Sequence, residues 1–135
     1  MSNRIQLKSE MKDKDILSET LNALGIEHTV HEDNATVNDY YHDKVTSKAC
    51  IVVSEFVGFV KSEENGNLEM VGDVHYEKGL LRKNDCMKKV EQVYKAMNVF
   101  HTLQAAGYQV NADFDNCLEQ DEIEVEAGIP YGDLT

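Results

Sequence analysis

Near its C-terminal end the chain reads Glu122-Ile123-Glu124-Val125-Glu126, three carboxylates alternating with two apolar residues. An extended strand sends alternate side chains to one face, so it would hold Glu122, Glu124 and Glu126 in a row about 6.6 Å apart. That repeat is close to the phosphate spacing of a nucleic-acid strand, which makes mimicry of a nucleic acid physically reasonable. From Asn111 to Thr135 there are eight acidic residues and neither lysine nor arginine. The plain reading of such a run is a solvated face that aids solubility.

Other residues could carry chemistry. Asp73 and His75 stand two apart on an expected strand and would share a face, which permits an acid-base pair or a polar binding floor. A solvent-facing polar alternation explains them as well, and is favoured because no second catalytic group stands at fixed spacing. His28, His31 and His42 with neighbouring carboxylates offer ligand types for a borderline metal. On a strand, however, His28 and His31 would point to opposite faces, so no metal or other cofactor is expected. His101, on the apolar stripe of an expected helix, reads as a core histidine satisfied by a backbone or tyrosine partner. Tyr40 and Tyr41, set between Asp39 and Asp43, offer rigid amphipathic surface for a contact patch. No GxGxxG, GxxxxGK[ST], GxSxG or HExxH occurs, so the chain reads as a binding protein rather than an enzyme.

The 135 residues suit one core, expected over 1–127 with an irregular tail over 128–135. Twenty-five acidic against 13 basic residues give a formal charge of −12. Direct docking on nucleic acid is thereby disfavoured, and attraction to a basic or nucleic-acid-binding protein is favoured. No apolar stretch approaches the roughly 20 residues needed to span a bilayer. The charged opening lacks a signal-peptide core, so a cytoplasmic location is expected. Cys50, Cys86 and Cys117 are an odd number without CxxC spacing, as expected of reduced, buried thiols.

The elements that must position these residues follow from periodicity. Residues 4–11 alternate as a strand with Ile5, Leu7 and Met11 on one face. Asp13 caps a helix carrying Ile16, Leu17, Leu21 and Leu24, which Gly25 stops. Segments 26–31 and 36–42 read as a hairpin around Glu32-Asp33-Asn34. Segments 49–53 and 56–60 read as buried strands, and Asn65-Gly66 turns the chain into a strand from Leu68 to Tyr76. A helix of about 22 residues then opens at Asn84 or Asp85, bears Val90, Tyr94, Met97 and Phe100 on its apolar face, and closes at Gly107. Segments 108–114 and 123–126 form a last hairpin. The expected fold is α+β, a mostly antiparallel sheet packed on one face by a short N-terminal and a long C-terminal helix.

With this order, the segments RIQLKSEMKDKDILSETLNALG, LEMVGDVHY and VYKAMNVFHTLQAAGYQV resemble a known family. It is the conserved hypothetical open-reading-frame family of plastids and cyanobacteria, number thirty-five in the plastid series, which has bacteriophage members. The resemblance spans roughly residues 4 to 126. That family has no assigned activity, so the likeness implies a fold and a gene context and transfers no catalytic residue. The absence of tryptophan and the acidic end depart from the pattern and suggest a divergent, viral member. Two functions follow as expectations: an interaction protein, or a phage-type acidic inhibitor that mimics nucleic acid and blocks a host nucleic-acid-binding or defence protein. A small-ligand binder or enzyme using Asp73 and His75 ranks third.

Overall fold

Asp13 starts the first helix by the mechanism its side chain allows. Its backbone is extended (φ −99°, ψ 111°), and its carboxylate accepts the N–H groups of Asp15 at 2.9 Å and Ile16 at 3.2 Å. Two donors that the helix cannot satisfy internally are thus paired. Helix α1 (Lys14–Ala23) buries Leu17, Thr20 and Leu21, and Thr20 keeps its hydroxyl satisfied by donating to the Ile16 carbonyl at 2.8 Å. Gly25, at φ 72°, takes the left-handed conformation that ends the helix, and Ile26 donates its N–H back to the Leu21 carbonyl at 2.9 Å.

The structure is a computed structural model and describes residues 4–7, 10–40, 45–54, 57–73 and 86–128. Strands β1 (Arg4–Leu7), β2 (Thr29–Tyr40), β3 (Val45–Ser54), β4 (Val57–Lys61) and β5 (Leu68–Asp73) form one antiparallel sheet in the order β1-β5-β4-β3-β2. Helix α2 (Cys86–Ala105) follows, then β6 (Val110–Ala112) and β7 (Val125–Ala127) pair as a separate antiparallel ribbon. The expected α+β class and antiparallel pairing hold. The Asn65-Gly66 turn joins β4 to β5 as expected, with Gly66 at φ 75° and Ser62 donating to the Asn67 carbonyl at 2.8 Å.

Two expectations are corrected. The hairpin around Glu32-Asp33-Asn34 does not form, because β2 runs through those residues and pairs with β3. His31 to Asn34 face only Cys50, so the residues with turn character are absorbed as a bulge in a longer ladder. The first strand ends at Leu7, and Met11 lies in the segment leading to α1. There its side chain is buried and its carbonyl accepts the Leu68 N–H at 2.6 Å. The strand expected after the Asn-Gly turn is present over Leu68–Asp73, and the rest of its expected span, 74–76, lies outside the described residues.

Both helices lie on one sheet face. Ile51, Phe59 and Met70 are adjacent across β3, β4 and β5, and all are buried against Leu17 and Leu21 of α1 and Val90, Val93 and Met97 of α2. Cys50 and Cys117 are buried free thiols in the same cluster, and the side chain of Cys86 lies outside the described ones. Phe100 is half-buried, packed edge-on against Phe114 with ring centroids 5.8 Å apart. Ala49 and Val71 form a second cluster with Val52 and Val60 on the other face. Edge strand β2 also reaches β4, β5 and β1, so the sheet curls around this smaller cluster.

Phe59 is fully buried at the centre of the main cluster. Phe59→Ala is expected to lower the unfolding free energy by about 3 to 5 kcal/mol, to be measured by urea denaturation. A loss below about 1 kcal/mol would contradict this core.

Candidate functional site

The C-terminal acidic segment is positioned by α2. Gly107 closes that helix at φ 93°, and Tyr108 donates its N–H to the Leu103 carbonyl at 3.1 Å, turning the chain into β6. After β6 a loop returns across α2 and is strapped to it. The Lys89 ammonium donates to the Gln120 carbonyl and, at 3.0 Å, to the Gln92 side chain, while the Gln92 amide donates to the Asp121 carbonyl at 2.6 Å. Fully buried Cys117 donates its thiol to the Ala23 carbonyl at 3.5 Å, and Phe114 and Ile123 pack on the main core. The loop's backbone is therefore held at both ends and in the middle.

Held in this way, Glu122, Glu124 and Glu126 are exposed while Ile123 and Val125 are half-buried, as the alternation predicts. The expected strand covers only the end of this row. Only Glu126 lies within β7, where it pairs with Asn111, and Glu122 and Glu124 precede the strand. The anchored carbonyls of Gln120 and Asp121 and the inward Ile123 stop the ladder from extending further. All three glutamates nevertheless line one open groove of about 460 Å³, together with Asp113 and Gln120.

Asp113 organises the floor of this groove. One carboxylate oxygen accepts the Asn116 amide at 3.1 Å and the Gln120 amide at 3.4 Å, and the other accepts the Asp115 N–H at 3.1 Å. The bond from the Asn116 side chain, aided by backbone N–H groups, holds the Asp113 carboxyl below its ordinary range, so it stays ionised. The sequence contained the signal for this role, an aspartate followed by polar residues able to turn back on it. The groove therefore gathers four carboxylates, with Lys89 turned toward the Gln120 carbonyl and the Gln92 side-chain oxygen rather than toward them.

Among the described residues, none of the other predicted site residues lines this groove. Tyr40 ends β2, pairing with Val45 in the larger sheet, and Tyr41 lies outside the described residues. Asp73 ends β5 opposite Arg4, and His75 also lies outside the described residues, as does His42. His28 precedes β2, and its two ring nitrogens meet the Ser18 hydroxyl at 2.6 Å and the Ile26 carbonyl at 2.9 Å. Half-buried His31 lies in β2, and among the described residues no three His, Cys, Asp or Glu side chains are grouped to hold a metal ion. His101 is corrected from a core residue to a rim residue, because it pairs with Glu19 of α1 at 2.8 Å with 39% of its side chain exposed.

A family model described as protein of unknown function (DUF1257) matches residues 20–122. The chain belongs to this family. The matched stretch runs from the middle of α1 through strands β2 to β5 and α2 to Glu122, leaving out β1, so it includes Asp113 and the straps from Lys89 and Gln92. No curated protein and no solved structure matches the chain. No helix among the described residues is long and apolar enough to cross a membrane.

A carboxyl whose native pKa lies below its unfolded one contributes stability above the unfolded value and loses it as pH falls through the native value. For Asp113 the direction is set first by Asn116. Asn116→Ala is therefore expected to raise the Asp113 midpoint in a carboxyl-carbon NMR titration. An unchanged midpoint would show that Asn116 does not hold the carboxylate.

Proposed function

We propose that this member of the DUF1257 family is a small non-catalytic interaction protein whose acidic groove docks a basic surface of a protein partner. The observation that carries the reading is the convergence of Glu122, Glu124, Glu126 and Asp113 on one groove whose backbone is strapped to α2. Like charges held together repel one another, and a cationic partner relieves that repulsion on docking. Because the backbone is already fixed, little ordering opposes association. The net charge of −12 adds long-range attraction for a basic partner, felt mainly in the association rate.

A narrower version, a phage-type acidic inhibitor that imitates nucleic acid and blocks a host nucleic-acid-binding or defence protein, draws on the same carboxylates. Since only Glu126 of the three lies in β7 while all of them line one groove, a compact basic protrusion is the occupant we favour. Catalysis by Asp73 and His75 gains nothing, since His75 lies outside the described residues.

Affinity capture from cell extract with the wild-type chain and with a Glu122→Gln, Glu124→Gln, Glu126→Gln triple variant tests the proposal. The wild type is expected to retain a basic protein that salt elutes, and the variant to lose it while keeping its melting temperature. Equal retention of that protein by both chains, with the same salt dependence, would overturn the reading.

A further inference from the structure

A second concavity, of about 690 Å³, lies where the segment before α1 meets β3, β4 and α2. It is built around Tyr94, which is 7% exposed and whose hydroxyl oxygen accepts the N–H of Lys12 at 3.1 Å and of Asp13 at 3.0 Å. A phenolic hydroxyl accepts through its oxygen and donates one hydrogen. The accepting role is filled by backbone, and among the described residues no acceptor takes that hydrogen. A buried donor at a cavity wall is a place for an acceptor from outside the chain.

The charges around Tyr94 indicate what kind of acceptor. Lys12, Lys14 and Lys61 line the cavity although the chain as a whole is strongly acidic, and among the described residues none of the three forms an ion pair. Of the carboxylates there, Asp13 is already committed to capping α1, which leaves Glu10 and Glu32 as acceptors at the wall. The floor is Leu68 and the thiol of Cys50, which donates to the Phe59 carbonyl at 3.5 Å. Burial pushes the Cys50 thiol up from its ordinary range, against a smaller pull from Lys14 and Lys61, so the floor is neutral near pH 7.

We propose that this cavity binds a small oxyanion that also carries a hydroxyl group. Its anionic oxygens face Lys12, Lys14 and Lys61 and accept the Tyr94 hydrogen, and its hydroxyl donates to Glu10 or Glu32. The volume falls within the range of about 300 to 1,000 Å³ usual for small-molecule sites. The cavity shares no lining residue with the acidic groove, so this site and the docking proposal stand or fall separately.

Two probes with the required chemistry, glycerol 3-phosphate for phosphate and malate for carboxylate, test the site by amide NMR titration of the full chain at constant ionic strength. At least one probe is expected to give saturable shifts that include the Lys12 and Asp13 amides, and saturation by one alone identifies the anion class. Lys61→Gln, on an exposed strand end, should leave the melting temperature unchanged and weaken binding about tenfold. Tyr94→Phe should weaken it too, but that change also frees two backbone donors, so Lys61→Gln is the deciding variant. Shifts from both probes that never saturate, or undiminished binding to Lys61→Gln, would overturn the proposal.

Discussion

The hydroxyl of Tyr94 holds backbone N–H groups of Lys12 and Asp13, residues 82 and 81 positions earlier in the chain. Unpaired, each of those donors would cost about 1 to 3 kcal/mol where water is excluded. The bonds fix where the chain enters α1, and Asp13 then caps that helix, so Leu17 and Leu21 are aimed at the sheet. The same ring packs in the main core beside Val90, Val93 and Met97. One side chain thus joins the start of α1 to the middle of α2 and shapes the wall of the lysine-lined cavity.

From that arrangement come two concavities of different charge, one mixed and one acidic. The cavity around Tyr94 sets three lysines, from the segment before α1, the first residue of α1 and the end of β4, beside Glu10, Asp13 and Glu32. The groove beyond β6 collects four carboxylates, and it stays in place because Lys89, Gln92 and Cys117 tie its loop to α2 and to the end of α1. Both concavities therefore depend on the helix pair being seated on the sheet. The His101–Glu19 contact, exposed at the far end of the pair, adds little by comparison.

Much of this was legible in the sequence where a local signal coincided with a structural need. Asp13 as cap, Gly25 and Gly107 as helix stops and Asn65-Gly66 as turn each act within a few residues, so the residue type alone decides. Apolar periodicity likewise placed Leu17, Leu21, Val90 and Met97 in the core. It failed at Glu32-Asp33-Asn34, where a distant ladder with β3 outweighed turn chemistry, and at Met11, which is buried without being part of a strand. The acidic site was found by its alternation, but the shortness of β7 was not, because straps from Lys89 and Gln92 act about thirty positions away. The lysine-lined cavity left no linear pattern, since Lys14 and Lys61 meet only once the helix is seated.

Native-state hydrogen exchange at the Lys12 and Asp13 amides tests the seating of α1 through Tyr94 most directly. Neither N–H has a bond in a helix or strand ladder, so their protection depends on the phenolic oxygen. The structure predicts slow exchange at both amides in the wild type and fast exchange in Tyr94→Phe with the core still protected. Exchange of both amides at the rate of an unstructured peptide in the wild type would contradict it.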